Sequence, residues 1–250
     1  MSQIQFPVSK LFGIPINAVT MAQVLDCIHE SISRREKLQI GVVNAAKVVN
    51  MQRNPILGKD VLASDIILAD GVSVVWASRI LRKPLPERIA GIDLMYGLLE
   101  QGNRYGYRVY CLGATEEVSR KVADRIAQDY PGVVLAGRRN GYFTDDEEEG
   151  IAESIANSRA DILFVAITSP KKENFLARWS EKMGVPICHG VGGSFDVMAG
   201  KVQRAPEIWQ RLGLEWLYRV KQEPRRLWKR YFVTNVLFVK MIVKELFRLF

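Results

Sequence analysis

The sequence has few residues that bind metals or form disulfide bonds. Its 250 residues include three cysteines and two histidines. Cys27, Cys111 and Cys188 lie far apart, each within an apolar run, and no CxxC pair occurs. Core thiols in a reducing compartment fit this pattern better than disulfides. A structural zinc site has almost no ligands to use. We expect no cofactor.

Long hydrophobic segments are also missing. The N-terminus, MSQIQFPVSKLFG, lacks the apolar core of a signal peptide. The longest apolar stretch, residues 231–243, contains Asn235 and Lys240, and it is shorter than the roughly 18 residues of a spanning helix. We therefore expect a cytoplasmic protein that associates with a membrane only peripherally.

Positive charge is concentrated at one end of the chain. Residues 204–250 contain 11 Lys and Arg against 4 Glu, a net +7, whereas the whole chain carries only +8. Aromatic residues are interleaved with these charges. A helical projection of residues 226–249 places apolar side chains on one arc and basic ones on the other, which predicts a basic amphipathic helix. An anionic membrane surface is one partner for it, and packing of its apolar face on the rest of the chain is the alternative.

Short β-branched runs alternate with amphipathic segments before residue 192. We predict a strand or hairpin at residues 12–18 and a series of strands at residues 39–43, 66–68, 108–112, 133–136, 161–166 and 186–191. The intervening helices are predicted at residues 21–33, 45–53, 72–81, 93–102, 116–129, 145–157 and 171–182. This alternation predicts an α/β fold with a mainly parallel sheet flanked by helices. We expect a body formed by residues 1–204 and an appendage formed by residues 205–250.

Ligands of such folds bind at the carboxyl ends of the strands. Asp70 ends a buried strand and is followed by apolar residues, so it is a candidate general base; capping of the helix that starts near residue 72 explains it equally well. Asn44 also ends a strand and suits either a ligand contact or a helix cap. Arg88 could pair with a phosphate or with Asp93.

Two further loops carry candidate ligand contacts. Gly192 and Gly193 follow an apolar strand, and their exposed N–H groups could hold a diphosphate. His189, next to this loop, is predicted to be structural. Lys171 and Lys172 begin a helix, where they oppose the helix dipole unless an anion is bound.

Several longer motifs occur together and in order. They are NAAKVV, LADGVSVVWAS, ERIAGIDLM, the Gly-Tyr-Phe of residues 141–143, SPKKE, GVGGSFDVMAGKVQRAP and GLEWLYRVKQEPRR. Together they resemble the bacterial WecG/TagA/CpsF family of glycosyltransferases, from about residue 8 to about residue 240. The last two motifs are the most specific.

This resemblance implies a Rossmann-like body, with an inverting, metal-independent transfer from a UDP-sugar. The acceptor would be a polyprenyl-diphosphate-linked sugar at the cytoplasmic face of the membrane. The transferred sugar would be N-acetylmannosamine, its uronic acid or another hexose or uronic acid. By motif, Asp70 would be the base, and Asn44 and Arg88 would line the same pocket.

The resemblance also assigns contacts at the other side of the pocket. Asp196 would reach the uridine, with Tyr142 and Phe143 nearby. Three basic residues of the appendage would close over the site and hold phosphates: Arg219, Arg226 and Lys229.

The sequence departs from the expected family pattern at three positions. Val42 stands where a Thr often precedes the pocket Asn, Lys172 stands where many members have Gln, and Lys229 replaces an arginine. A cation at residue 172 could pair with a carboxylated sugar.

Three other functions compete with this interpretation. A nucleic-acid-binding module would explain the basic tail, but no RNP, KH or helix-turn-helix pattern occurs. An oxidoreductase is disfavoured because GxGxxG is missing. A non-catalytic membrane-associated scaffold is the third, and an intact Asp70 argues against it. Homo-oligomerisation through the apolar tail face is a further possibility.

Overall fold

The computed structural model describes residues 6–248. The chain begins with an antiparallel hairpin of β1 (Val8–Leu11) and β2 (Ile14–Asn17). Phe12 and Gly13 form its turn with φ angles of 54° and 81°. The predicted strand or hairpin is thus a hairpin.

A six-stranded parallel sheet forms the centre of the body. Its strands are β3 (Leu38–Val43), β4 (Ile66–Ala69), β5 (Arg108–Gly113), β6 (Val134–Arg139), β7 (Ile162–Ala166) and β8 (Ile187–Gly190). Their spatial order is β4-β3-β8-β7-β5-β6, and each neighbouring pair is parallel. The order reverses direction between β3 and β8, and such a switch point opens a crevice at the carboxyl ends of the strands.

Helices cover both faces of this sheet. They are α1 (Met21–Arg34), α2 (Ala45–Arg53), α3 (Pro55–Leu62), α4 (Val72–Ile80), α5 (Gly91–Tyr105), α6 (Glu116–Asp129), α7 (Glu148–Ser158), α8 (Lys171–Met183) and the short α9 (Ser194–Met198). Side chains of α1, α5 and α6 pack in one apolar cluster, and those of α7 and α8 pack in another. The predicted α/β class with a parallel sheet and flanking helices is confirmed.

Helix α3 is an element that the sequence analysis did not predict. The Asn54 side chain accepts hydrogen bonds from the backbone N–H groups of Ile56 and Leu57, at 3.1 and 3.2 Å, and Pro55 is the first helical residue. An Asn cap followed by Pro is a helix-start signal, so this helix was recognisable from sequence. The helix predicted from residue 93 begins two residues earlier, at Gly91.

The appendage consists of three helices that the structure describes: α10 (Glu207–Arg211), α11 (Glu215–Gln222) and α12 (Pro224–Leu246). Helix α12 packs on α2 and contacts Phe12 in the hairpin turn. The rings of Phe238 and Phe12 lie 5.3 Å apart, and Phe238 and Leu227 are buried. Part of the predicted apolar face therefore packs on the body, as the alternative interpretation expected.

A second apolar surface of α12 stays exposed. We call it the outer strip. Its residues lie along one face of the helix and are 40–79% exposed: Trp228, Phe232, Val236, Val239, Val243 and Phe247. Lys229, Lys240 and Lys244 are exposed on the same helix. No helix among residues 6–248 has the length and apolarity needed to cross a membrane. Leu249, which was predicted on the apolar arc, lies outside the described residues.

Candidate active site

A cavity of about 1000 Å³ opens at the carboxyl edge of the sheet. The loops after β3, β4, β7 and β8 form one side of it, and residues between 201 and 219, most of them in the appendage, form the other. Two residues of α12, Tyr231 and Asn235, also contribute to its wall. The appendage therefore helps to enclose the cavity.

Asp70 is held from two sides at the end of β4. Its Oδ1 accepts a hydrogen bond from the Gly91 N–H at 3.0 Å, and its Oδ2 accepts one from Asn44 Nδ2 at 3.3 Å. Helix α4, which follows Asp70, has no side-chain cap. The capping alternative is thus wrong for α4, because Asp70 instead binds the first N–H of α5. A carboxylate fixed in this way keeps further lone pairs for a substrate hydroxyl.

Asn44 has the helix-cap role, one of the two considered for it, and it also contacts Asp70. Its Oδ1 caps α2 by accepting from the Lys47 N–H at 3.0 Å, and its amide nitrogen donates to Asp70. The cap fixes the amide orientation, so the nitrogen faces the carboxylate. Asn44 also lines the cavity.

His189 lies behind Asp70 and is fully buried. Its Nε2 and the Gly91 carbonyl are 2.9 Å apart, so the ring donates to this oxygen. Burial, with a smaller contribution from Lys172, lowers the pKa of His189 to about 4, against the opposing effects of the Gly91 carbonyl and Asp70. The neutral imidazole supports the peptide that binds Asp70, and the predicted structural role agrees with this geometry.

Lys172 shares a buried carboxylate with a second lysine. Its Nζ and that of Lys47 each lie 3.2 Å from Glu173 Oε1. Burial raises the pKa of Glu173, but the two ammonium groups outweigh this effect and hold it at about 2. Burial lowers the pKa of Lys172, as does Lys47. Lys172 therefore has a protein carboxylate as its partner, and two cations share one anion at the cavity wall.

The glycine loop after β8 approaches the cavity closely. Gly192 has a φ of 52°, and Gly193 has open space where a Cβ would be. A Cβ at Gly190 would lie 2.7 Å from Lys172 Nζ, so a larger residue there would displace the lysine side chain. Gly192, Gly193 and Asp196 all line the cavity.

The Tyr142-Phe143 pair is divided between cavity and core. Tyr142 is 75% exposed and lines the cavity, where its ring is available for stacking. Phe143 is buried, its ring lies 5.8 Å from that of Phe175, and it does not line the cavity. Lys171 Nζ lies 3.9 Å above the Phe143 ring and donates to the Phe143 carbonyl. Phe143 thus holds the loop in place.

The predicted basic residues of the appendage also differ in position. Arg219 lines the cavity, whereas Lys229 is exposed on α12 and does not line it. Arg226 belongs to α12, and its side chain lies outside the described part of the structure. The structure therefore brings Arg219 to the predicted site and leaves Lys229 on the outer surface.

Arg88 lines the cavity and contacts two carboxylates. Its Nη1 lies 2.9 Å from Glu215 Oε2, and its Nη2 lies 3.5 Å from Asp93 Oδ2. The pairing with Asp93 was one of the two alternatives considered from sequence, whereas the contact with Glu215 was not foreseen. Lys47, Arg204 and Glu215 were not singled out, although the quoted motifs contain all three.

Cationic side chains predominate in the cavity wall. Among the described residues, seven Lys and Arg side chains line it against three carboxylates; the cations are Lys47, Arg88, Lys171, Lys172, Lys201, Arg204 and Arg219, and the carboxylates are Asp70, Asp196 and Glu215. Within residues 6–248, no group of three or more His, Cys, Asp or Glu is placed to hold a metal ion. A positive cavity suits an anionic ligand.

A parallel α/β sheet with a positive cavity and a fixed carboxylate at its carboxyl edge is typical of enzymes that bind anionic ligands. The model of the glycosyl transferase WecG/TagA/CpsF family matches residues 9–249. Over 178 residues the chain is 39% identical to a Bacillus spizizenii protein named N-acetylglucosaminyldiphosphoundecaprenol N-acetyl-beta-D-mannosaminyltransferase, covering 71% of this chain and 68% of that protein. The chain belongs to the WecG/TagA/CpsF family and is a glycosyltransferase of surface polysaccharide biosynthesis.

Proposed function

We propose that the chain transfers a hexose-type sugar from a UDP-sugar to a polyprenyl-diphosphate-linked sugar, with inversion and without a metal ion. The observation that carries this proposal is the position of Asp70, whose carboxylate is fixed by Asn44 and Gly91 at the wall of a positive cavity. The Bacillus spizizenii relative is named for an undecaprenyl-diphosphate-linked acceptor and N-acetylmannosamine, which supports the substrate classes.

In the proposed reaction, Asp70 takes the proton of the acceptor hydroxyl. The acceptor oxygen then forms a bond to the anomeric carbon from the face opposite UDP, and the bond from this carbon to the phosphate oxygen breaks. UDP leaves with the electron pair of that bond. Attack from the opposite face inverts the anomeric centre.

Charge develops on the UDP oxygens as this bond breaks, and nearby cations stabilise it. Lys172 lies in the first turn of α8, beside the glycine loop. Arg219 lines the opposite wall. Fixed cations at these positions support catalysis without a metal. Tyr142, at the rim, and Asp196 are the residues that we assign to the uridine.

The acceptor is carried by a lipid, and the outer strip of α12 supports a location at the inner face of the cell membrane. Exposed aromatic and aliphatic side chains beside lysines are suited to insertion at an anionic lipid surface. Because the appendage also lines the cavity, we propose that residues 205–250 bind the membrane and complete the active site on a body of residues 1–204.

The test is UDP release by the purified protein, with a panel of UDP-sugars and a short-chain polyprenyl-diphosphate-linked sugar. We expect release with one donor, only in the presence of the acceptor, and unchanged by EDTA. Asp70→Asn removes the base and is expected to lower the turnover rate by about 10²- to 10⁴-fold.

Asp65→Asn is the matched control, because it makes the same change at the opposite end of the same strand. Asp65 accepts from the Gln39 N–H at 2.7 Å, and it does not line the cavity. Its rate should stay close to that of the unchanged chain. Equal rates for Asp70→Asn and Asp65→Asn would exclude Asp70 as the base, and a chain that neither releases nor binds UDP would contradict the proposed donor.

A further inference from the structure

Four charged side chains at the cavity form a ring in which charges of opposite sign alternate. Arg88 lies 2.9 Å from Glu215 and 3.5 Å from Asp93. Arg204 Nη2 lies 2.5 Å from the other oxygen of Asp93, and Arg204 Nε lies 4.0 Å from the other oxygen of Glu215. We call this group the ion-pair ring. Asp93 bridges the two guanidinium groups directly, whereas Glu215 and Arg204 form a longer ion pair without a hydrogen bond.

The ring changes how Arg88 can act. The two positive and two negative side chains balance in charge, and Arg88 is already paired with two protein carboxylates. The Arg88 side chain is 16% exposed, and it donates to one carboxylate from each of its terminal nitrogens. Charge-assisted bonds on two sides hold the plane of a guanidinium in one orientation.

The ring also connects the appendage to the helix that holds the base. Asp93 lies in the first turn of α5, and Gly91 of the same turn donates to Asp70. Glu215 is the first residue of α11, and Arg204 lies in the segment that leads into α10. A displacement of α11 would therefore remove one of the two carboxylates that orient Arg88.

We propose that Asp93, Arg204 and Glu215 are positioning residues that act as one unit, which fastens α10 and α11 over the cavity and holds Arg88 in one orientation at the cavity wall. This inference rests on the proposed transfer at this cavity. The ring acts through the placement of Arg88, so breaking any one ion pair should lower the turnover rate by nearly the full amount. Breaking a second ion pair should then lower the rate little further.

The experiment compares Asp93→Asn, Glu215→Gln and the double variant with the unchanged chain. Both substitutions keep the side-chain shape and remove one charge. Each single variant is expected to lower the turnover rate about 10- to 100-fold, because a small misplacement of a catalytic group has an effect of this size. The double variant should lie within about threefold of the slower single variant, and the donor KM should change less than about threefold.

Two further measurements separate positioning from loss of folding. Calorimetry should give the same number of UDP sites per chain in all variants. Amide hydrogen exchange of residues 207–222, measured without substrate, should be at least about tenfold faster in Glu215→Gln. The double variant should exchange no faster than this. The exchange measurement tests the ring even if the chain releases no UDP. The absence of UDP release would contradict the proposed function and not the ring.

Glu245→Gln is the matched control in the appendage. Glu245 forms an ion pair with Arg248 at 3.5 Å and lies outside the cavity wall. Its rate and exchange should be unchanged. Rate losses that multiply in the double variant, unchanged exchange in Glu215→Gln, or the same losses in Glu245→Gln would each overturn the proposal.

Discussion

Acidification should destabilise the protein through one buried histidine. His189 is fully buried, and its pKa of about 4 lies below the ordinary value of 6.5 for the unfolded chain. The unfolded state therefore binds more protons than the folded state between these two pH values, so the free energy of unfolding falls as the pH falls. The loss begins near pH 6.5 and is complete below pH 4.

The two pKa values determine the size of this effect. At pH 5.0 the unfolded histidine is almost fully protonated and the folded one is mostly neutral, so the loss relative to pH 7.5 is about 2 kcal/mol. This corresponds to a roughly thirty-fold change in the unfolding equilibrium constant. Glu173, with a pKa of about 2, loses its own contribution only at lower pH, below the ordinary range of glutamate.

Urea unfolding between pH 7.5 and 5.0 measures this loss, with His189→Gln as the comparison. A glutamine amide can still donate to the Gly91 carbonyl but does not titrate. We expect the variant to lose about 2 kcal/mol less than the unchanged chain over this range. His29→Gln, at the only other histidine of the sequence, is the control. Equal losses for the unchanged chain and His189→Gln would refute the reasoning.

Two further predictions concern the appendage. A chain that ends at Arg204 should keep a folded α/β body, as measured by circular dichroism. Its free energy of unfolding should fall by at least about 3 kcal/mol, because Phe12 loses its contact with Phe238. It should release no UDP, and full activity would contradict the proposed division at residue 204. On the outer strip, Phe232→Ala should weaken cosedimentation with anionic vesicles about 10- to 100-fold, because insertion of a Phe side chain contributes about 1.5–3 kcal/mol. Ile56→Ala, an exposed apolar residue of α3, should bind vesicles like the unchanged chain; equal weakening in both variants would argue against the outer strip.

Local signals in the sequence were sufficient for most elements and for part of the site. The β-branched runs predicted the six strands because the side-chain period reports local conformation. Asp70 and Asn44 could be placed together because the carboxyl ends of neighbouring parallel strands meet at one edge. The Gly192 loop was recognisable for the same reason.

The partners of the charged residues could not be predicted in this way. Arg88 has a candidate partner five residues away, Asp93, but its shorter contact is with Glu215, 127 positions along the chain. Lys172 was read as a free pocket cation although its partner, Glu173, is the next residue; what the motif does not show is that Lys47 of α2 binds the same carboxylate. The long-range packing of helices decides these pairs, and periodicity carries no information about it.

Neighbouring aromatic residues show the same limit. Tyr142 and Phe143 were expected near the uridine together, but one lines the cavity and the other packs on Phe175. On α12, one apolar arc was expected, whereas the helix buries Phe238 and exposes Phe232. Which side chains of a helix or loop meet the core depends on the surfaces that pack against it.

The sequence by itself determined the α/β class, the strand ends that carry Asp70 and Asn44, and the basic character of the C-terminal end. These properties follow from residue periodicity and composition, which act over a few positions. Only the tertiary structure decided that Glu215 closes a ring with Arg88, that Glu173 lies between two lysines, and that α12 has both a buried and an exposed apolar surface. These contacts join residues far apart in the chain, so they form only when the sheet and its helices have packed.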